Sequence, residues 1–325
     1  MHLLPPAPTD DDLRALRTDG GRLARVVDVV AARHGLPRGE VAPFANGSVP
    51  VVACGAARVL KLYPPADAEH ARVEQAALEA VAGRLPLATP EPVAAGALDG
   101  WSYLVMTRLP GRPASEGREG GLPGTFPWRT IPRARQLALL ERLGAAVRAL
   151  HALPVADLPP VLRPDWAAFL AAQRAGCVAH HRARGADEAW LARFEPFLAE
   201  TPLAPARLAL LHTEVMLDHV FVEEGPGGWA LTGLLDLEPA VVGDPDYELA
   251  AVGVFVCRGD RALLGAFLDG YGVARVDRPA LARRVLAHAL LHRYAHWPLY
   301  QRLLPAPVPG EDLRDLAQRW FGPPP

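Results

Sequence analysis

A single lysine constrains this chain more than any other residue. Of its 34 basic side chains, 33 are arginine and one is Lys61. Lys61 stands in Val59-Leu60-Lys61-Leu62-Tyr63, an alternating apolar run that predicts a buried β-strand. A charge in the middle of such a strand is costly unless partners meet it. The ammonium is a compact point charge on a flexible stem, and a planar guanidinium cannot always replace it. The fold must therefore carry at least one opposite charge to this strand.

The wider composition narrows the classes. The chain has 325 residues, half of them hydrophobic, enough for one large domain or two lobes with a sizeable core. A net charge of −2 gives no support for a nucleic-acid partner, which calls for a basic face or tail. No apolar run reaches the length of a membrane span, and the start Met1-His2-Leu3-Leu4-Pro5 lacks the regions of a secretory signal. Three scattered cysteines, Cys54, Cys177 and Cys257, fit a reducing cytoplasm better than a disulfide framework. The stretch Cys177-Val-Ala-His180-His181 reads as a solvated helix face, because no second pair of metal ligands lies near it.

Periodicity predicts two regions of different character. Residues 10–35 read as helix, with a split at Gly20-Gly21. Residues 41–63 read as three short strands, 67–84 as helix and 91–109 as two strands. Pro110-Gly111 ends this part. A Gly/Pro-rich loop over 114–128 precedes helices at 132–152 and 164–200. Strands return over 208–236, and helices follow at 246–271, 278–303 and 311–321. A small β-rich lobe over 1–107 and a large helical lobe over 108–325 are expected, an α+β bilobal arrangement.

Three segments suit one task, moving a phosphoryl group. Lys61 is followed thirteen residues later by Glu74 in the next helix; the lysine suits phosphates and the glutamate fixes the lysine. The loop His212-Thr213-Glu214-Val215-Met216-Leu217-Asp218-His219 lies between strands, where catalytic groups accumulate. Glu214 can accept a proton from a hydroxyl, and His219 can bind a metal through a ring nitrogen. Leu235-Asp236-Leu237-Glu238 puts an aspartate just after an apolar strand, placed for Mg²⁺, with Glu238 as a second carboxylate. Asp244 reads as the N-cap of a helix that begins at Pro245. Walker, dinucleotide-binding, serine-elbow and zinc-protease motifs are all missing from the sequence.

Together these segments resemble the aminoglycoside phosphotransferase family, small-molecule kinases with a protein-kinase-like fold. The resemblance spans residues 40–325 and rests on Val59-Leu60-Lys61-Leu62, Tyr103-Leu-Val-Met106-Thr-Arg108-Leu-Pro-Gly111, His212-x-Glu214-x4-His219, Leu235-Asp236-Leu-Glu238 and Gly243-Asp244-Pro-x-Tyr247-Glu248-Leu-Ala250. Within the family the chain looks most like hygromycin B phosphotransferases, through Arg258-Gly-Asp-Arg-Ala-Leu-Leu264, Leu290-Leu291-His292 and Asp312-Leu…Trp320-Phe-Gly322. The family pattern in the catalytic loop is His-Gly-Asp-x4-Asn, so Thr213, Glu214 and His219 depart from it.

The resemblance implies an ATP- or GTP-dependent O-phosphotransferase with a small hydroxylated acceptor, cationic aminoglycosides being one class. It implies Glu214 and His212 as catalytic residues, and Asp236, His219 and Glu238 as ligands of Mg²⁺. Lys61 and Glu74 would grip the phosphates, the turn Asn46-Gly47-Ser48 would cover them, and backbone at Met106 and Arg108 would receive the purine. A cationic acceptor calls for acidic residues; the candidates are Asp187, Glu188, Glu195, Glu200, Asp244, Asp246 and Glu248, the first four expected on solvated surface. The departures leave a second reading open: a catalytically weak relative that binds nucleotide or ligand as a sensor or scaffold. No membrane or nucleic-acid partner is expected.

Overall fold

The strand that carries Lys61 is the middle one of a five-stranded antiparallel sheet. The computed structural model describes residues 2–44, 47–119 and 122–324. Its backbone divides into two compact units. The first comprises Met1–Gly83, Ala88–Pro110 and Leu235–Pro239; the second comprises Arg84–Leu87, Gly111–Leu234 and Ala240–Pro325. The short return of Leu235–Pro239 to the first unit is invisible to a linear boundary drawn at residue 107.

The first unit starts with helices α1 (Asp10–Thr18) and α2 (Gly20–His34), parted at Asp19, whose side chain caps α2. Strands β1 (Val41–Pro43), β2 (Val51–Cys54) and β3 (Arg58–Tyr63) follow, then helix α3 (Ala68–Val81) and strands β4 (Pro92–Leu98) and β5 (Trp101–Thr107). The sheet order is β1-β2-β3-β5-β4. Because strand side chains alternate, β3 serves two faces at once. Leu60 and Leu62 join Leu16, Leu23, Val26 and Val30 of the N-terminal helices in one apolar cluster. Lys61 and Tyr63 point the other way, toward α3, and meet Glu74 there. The hairpin between β4 and β5 turns on Asp99 (φ 51°) and Gly100 (φ 85°). Two positive φ values in a two-residue loop match the right-handed twist of the strands it joins.

In the second unit the first short strands are β6 (Arg112–Pro113), β7 (Arg118–Glu119) and β8 (Leu122–Pro123). Helices α4 (Arg133–His151), α5 (Trp166–Ala183) and α6 (Glu188–Ala199) follow. Strands β9 (Ala209–Leu211), β10 (Val220–Gly225), β11 (Gly228–Leu234) and β12 (Val241–Gly243) form two small antiparallel sheets, β11-β10-β6 and β12-β9. Helices α7 (Pro245–Ala251), α8 (Arg261–Tyr271), α9 (Arg278–Leu291), α10 (Trp297–Leu303) and α11 (Leu313–Phe321) complete it. Two glycines let α4 and α8 touch backbone to backbone. A Cβ on Gly144 would lie 2.0 Å from the Phe267 carbonyl oxygen, and one on Gly270 would lie 1.8 Å from that of Glu141. Among the described residues no helix is long and apolar enough to cross a membrane.

Three long helices expected from periodicity are broken. Gly185, at φ 82°, separates α5 from α6. A π-helical turn over Val252–Val256 follows α7, and the chain then bends at Arg258 (φ 51°) and Gly259 (φ 73°) before Asp260 caps α8. Between α9 and α10 the chain is extended at His292, and the His296 side chain caps α10. Each side of these breaks keeps an apolar stripe, so the pattern runs on through an interruption that capping and positive φ impose. The Cys177–His181 face is also corrected: it is buried, not solvated. Cys177 and His181 are 3% and 0% exposed, and the His181 ring hydrogen-bonds the Leu290 carbonyl at 2.9 Å.

Candidate active site

The first unit builds a charged cluster around Lys61. Lys61 is 7% exposed, and its ammonium is 2.8 Å from Glu74 Oε2, 2.7 Å from Asp236 Oδ1 and 2.9 Å from Glu238 Oε2. The strand sets its direction, α3 supplies Glu74, and the turn at Asp236 (φ 70°) folds the segment after β11 so that two carboxylates reach it. Tyr63, two residues along the same face, donates its hydroxyl to Glu74, and the ammonium lies 5.3 Å from the Tyr63 ring centre. Burial alone would lower the lysine pKa, but Asp236, Glu74 and Glu238 outweigh it and hold it well above the usual lysine range. Burial raises Glu74, aided by the nearby Asp236 charge and opposed by Lys61. His70, one turn before Glu74 on α3, is 3.2 Å from Glu238.

One ammonium does not balance three carboxylates. Glu74, Asp236 and Glu238 each offer an oxygen, all within 4.8 Å of one another. An all-oxygen set of surplus negative charge suits a hard divalent cation such as Mg²⁺. Asp236 and Glu238, at 28% and 15% side-chain exposure, are the accessible pair; Glu74, at 2%, is engaged by Lys61 and Tyr63.

The expected purine and phosphate contacts are less open. The Thr107 N–H donates to the Glu91 carbonyl and the Arg108 N–H to that of Ala57, each at 2.9 Å. With both N–H groups engaged, a purine at this stretch would have to be met through carbonyl oxygens, which have a second lone pair. The Arg108 guanidinium sits 5.8 Å from the centre of the Phe44 ring. Gly47 has φ 121° and its carbonyl accepts from Arg17, while Ser48 is exposed. Asn46 lies outside the described residues.

The second unit holds the loop from His212 to His219 between β9 and β10. His212 is fully buried. Its N–H donates to Glu248 Oε2 at 2.6 Å, and its Nδ1 accepts the Glu214 N–H at 3.2 Å. His212 therefore stands behind Glu214 as a support. Thr213 has φ 70°, the left-handed region that a β-branched residue rarely adopts. Glu214 is half-buried. His219 donates from Nδ1 to the Glu214 carbonyl at 2.7 Å, so a metal bound by this ring would be met by Nε2.

Helix α7 supports this loop. Asp244 caps it by accepting the Asp246 N–H, with Pro245 at the first position. Asp244 also faces buried His288 at 3.0 Å; burial would raise its pKa, but the His288 hydrogen bond and charge bring it below the usual range. Glu248 is fully buried as well. Burial would raise it, yet His151, His212 and the His212 N–H lower it. The acidic candidates for a cationic acceptor are thus largely spoken for: Asp246 pairs with Arg284, Glu188 with Arg182 and Glu200 with Arg314. Asp187 caps α6, and Glu195 is exposed.

Tyr63 and His70 were missed from sequence, although spacing reveals both. Tyr63 is two strand residues from Lys61, and His70 is four helix residues before Glu74. Glu248 stands in the Gly243–Ala250 pattern and among the acidic candidates, but no local spacing connects it with His212.

An enzyme class follows from this lysine–carboxylate cluster and the supported loop. A model of the phosphotransferase enzyme family matches residues 40–284. An aminoglycoside 3'-phosphotransferase of Streptomyces fradiae is 30% identical over 203 residues, covering 59% of this chain and 69% of that protein. The structure of the GDP complex of wild-type aminoglycoside 2'-phosphotransferase-IIIa superposes with a TM-score of 0.65 at 16% identity, over 82% of this chain and 89% of that one. A macrolide 2'-phosphotransferase type I gives a TM-score of 0.58 at 20% identity, over 93% and 99%. The chain belongs to the phosphotransferase enzyme family and has its kinase-like α+β fold. It is a phosphotransferase whose acceptor group is a hydroxyl.

Proposed function

We propose that the protein transfers the γ-phosphoryl group of ATP or GTP to a hydroxyl of an aminoglycoside-like small molecule. The observation that carries this reading is Lys61 clasped by Glu74, Asp236 and Glu238. Lys61 lends its charge to the phosphates while Glu74, itself held by Tyr63, keeps the ammonium in place. Asp236 and Glu238 would hold Mg²⁺, which would neutralise phosphate charge; His219 is a further candidate ligand through Nε2. The Gly47-Ser48 backbone covers the phosphates, and the Met106–Arg108 stretch takes the purine through its carbonyls. Glu214 takes the proton of the acceptor hydroxyl, its backbone held by His212 and His219. Positioning and charge neutralisation carry the rate.

The substrate class rests on the matched aminoglycoside 3'-phosphotransferase. With Asp244, Asp246 and Glu248 engaged within the protein, we place recognition of hydroxyls ahead of recognition of positive charge. One observation favours a second reading, a slow enzyme that mainly binds nucleotide: Thr213 is β-branched and left-handed just before Glu214.

The first test is the thermal midpoint with Mg-ATP and with Mg-GTP, beside Lys61→Ala. A ligand that binds only the folded state raises the midpoint. A rise that Lys61→Ala abolishes supports the nucleotide site; no rise with either nucleotide rejects it. Phosphate transfer to a panel of aminoglycosides and macrolides then separates the two readings.

A further inference from the structure

We propose that His292 is a positioning residue for phosphotransfer: it clamps the Thr213 peptide in its left-handed conformation and so sets the direction of Glu214. The proposal starts from a local conflict. Thr213 is a β-branched residue at φ 70°. Such a conformation persists only where the surroundings over-determine it.

His292 is built to do this. Its Nε2 lies 3.1 Å from the Thr213 carbonyl oxygen, which can only accept, so Nε2 carries the proton. Its Nδ1 accepts the Tyr294 N–H at 3.2 Å, so that nitrogen is the bare one. Both ring nitrogens are committed to backbone groups, and a single neutral tautomer satisfies them. Burial agrees, lowering the His292 pKa to about 4. His292 is 7% exposed, and its ring stacks on Tyr247, with centroids 4.7 Å apart and planes at 22°. Tyr247 is locked in turn, because its hydroxyl accepts the Arg293 N–H at 2.9 Å.

The clamp has a second jaw. Glu248, the residue after Tyr247 on α7, accepts the His212 N–H at 2.6 Å. Consecutive residues of α7 therefore hold the catalytic loop on both sides of the Thr213 turn: Glu248 directly, Tyr247 through His292. The break between α9 and α10 makes this possible, since the extended backbone at His292 frees the ring from the helix axis. A histidine that merely fills the core would hold no strained peptide, and the two roles predict different behaviour.

Three variants decide it. His292→Leu removes the donor, His292→Gln returns an N–H near the Nε2 position, and Thr213→Gly removes the strain. Amide exchange of residues 211–220 and the thermal midpoint need no acceptor molecule. His292→Leu should speed exchange in this loop about tenfold or more while peptides of the first unit stay protected, and His292→Gln should restore most of the protection. The midpoint loss caused by His292→Leu should shrink in the Thr213→Gly background, because coupled residues are not additive. The kinetic arm rests on the phosphotransfer reading. There, His292→Leu should lower kcat about tenfold to a hundredfold, the order expected for a small misplacement, with nucleotide KM nearly constant. Loop exchange unaltered by His292→Leu, or an equal midpoint loss in both backgrounds, overturns the proposal. A wild-type protein that transfers no phosphate would reject the function instead and leave the exchange and midpoint results to judge the clamp.

Discussion

Replacing Lys61 with methionine tests the central cluster most directly. The substitution keeps the length and apolar stem but removes the charge. Three carboxylates then face one another within 4.8 Å, where two unit charges repel by about 3 kcal/mol or more at an effective dielectric constant of about 20. Breaking a buried ion pair from one side costs about 3–5 kcal/mol, and the remaining Tyr63–Glu74 hydrogen bond argues for the lower end. A loss of about 3 kcal/mol corresponds, for a chain of 325 residues, to a fall in midpoint of about 4–5 °C. The loss should also depend on pH. Glu74 is already raised by burial and by Asp236, and Lys61 is what opposes that rise. Without Lys61 the folded state binds a proton more tightly than the unfolded state does. Stability from that proton is present at low pH and disappears as pH climbs through the raised folded-state pKa. Differential scanning fluorimetry in EDTA should find Lys61→Met closest to wild type near pH 5 and furthest below it near pH 8. Added Mg²⁺ should raise the midpoint of the variant more than that of the wild type. A deficit that is the same at both pH values would refute the idea that the trio competes for one charge.

Other perturbations probe separate links. Glu214→Ala should cut turnover by about 10²- to 10⁴-fold while leaving the nucleotide-induced midpoint rise intact, which combined kinetics and fluorimetry can check. Gly270→Ala should destabilise by about 1–3 kcal/mol in urea titration, because its Cβ would lie 1.8 Å from the Glu141 carbonyl oxygen; Gly227→Ala, with open space around it, should not. His181 and His292 are both lowered to about 4. A depressed histidine contributes stability above its unfolded pKa and loses it as pH falls, so the midpoint should drop between about pH 6.5 and 4. His292→Gln should flatten that drop, as read from midpoints across the interval.

Much of the fold and part of the site were legible in the sequence. The strand at Lys61 and the helix at Glu74 follow from local periodicity, as does the cap at Asp244, because strands and caps answer to neighbours within a few residues. Helix breaks were harder. The stretch from 278 to 303 keeps its apolar stripe across the interruption at His292, so periodicity runs straight through it. The burial of Cys177 and His181 was missed for a similar reason: the partner, Leu290, is more than a hundred residues away.

The sequence by itself determined the demand for partners. One lysine in an apolar strand requires carboxylates, and the spacing of Glu74 within the next helix nominates the first of them. Tertiary structure alone decided which others arrive. Asp236 and Glu238 reach Lys61 from 175 and 177 residues further along the chain because Leu235–Pro239 folds into the first unit. It alone decided that Glu248 supports His212 and that His292 meets Thr213. The physical reason is one of range. Local propensity and alternation are written into a few consecutive residues, whereas a buried charge or a strained peptide is satisfied by whatever the folded backbone carries next to it.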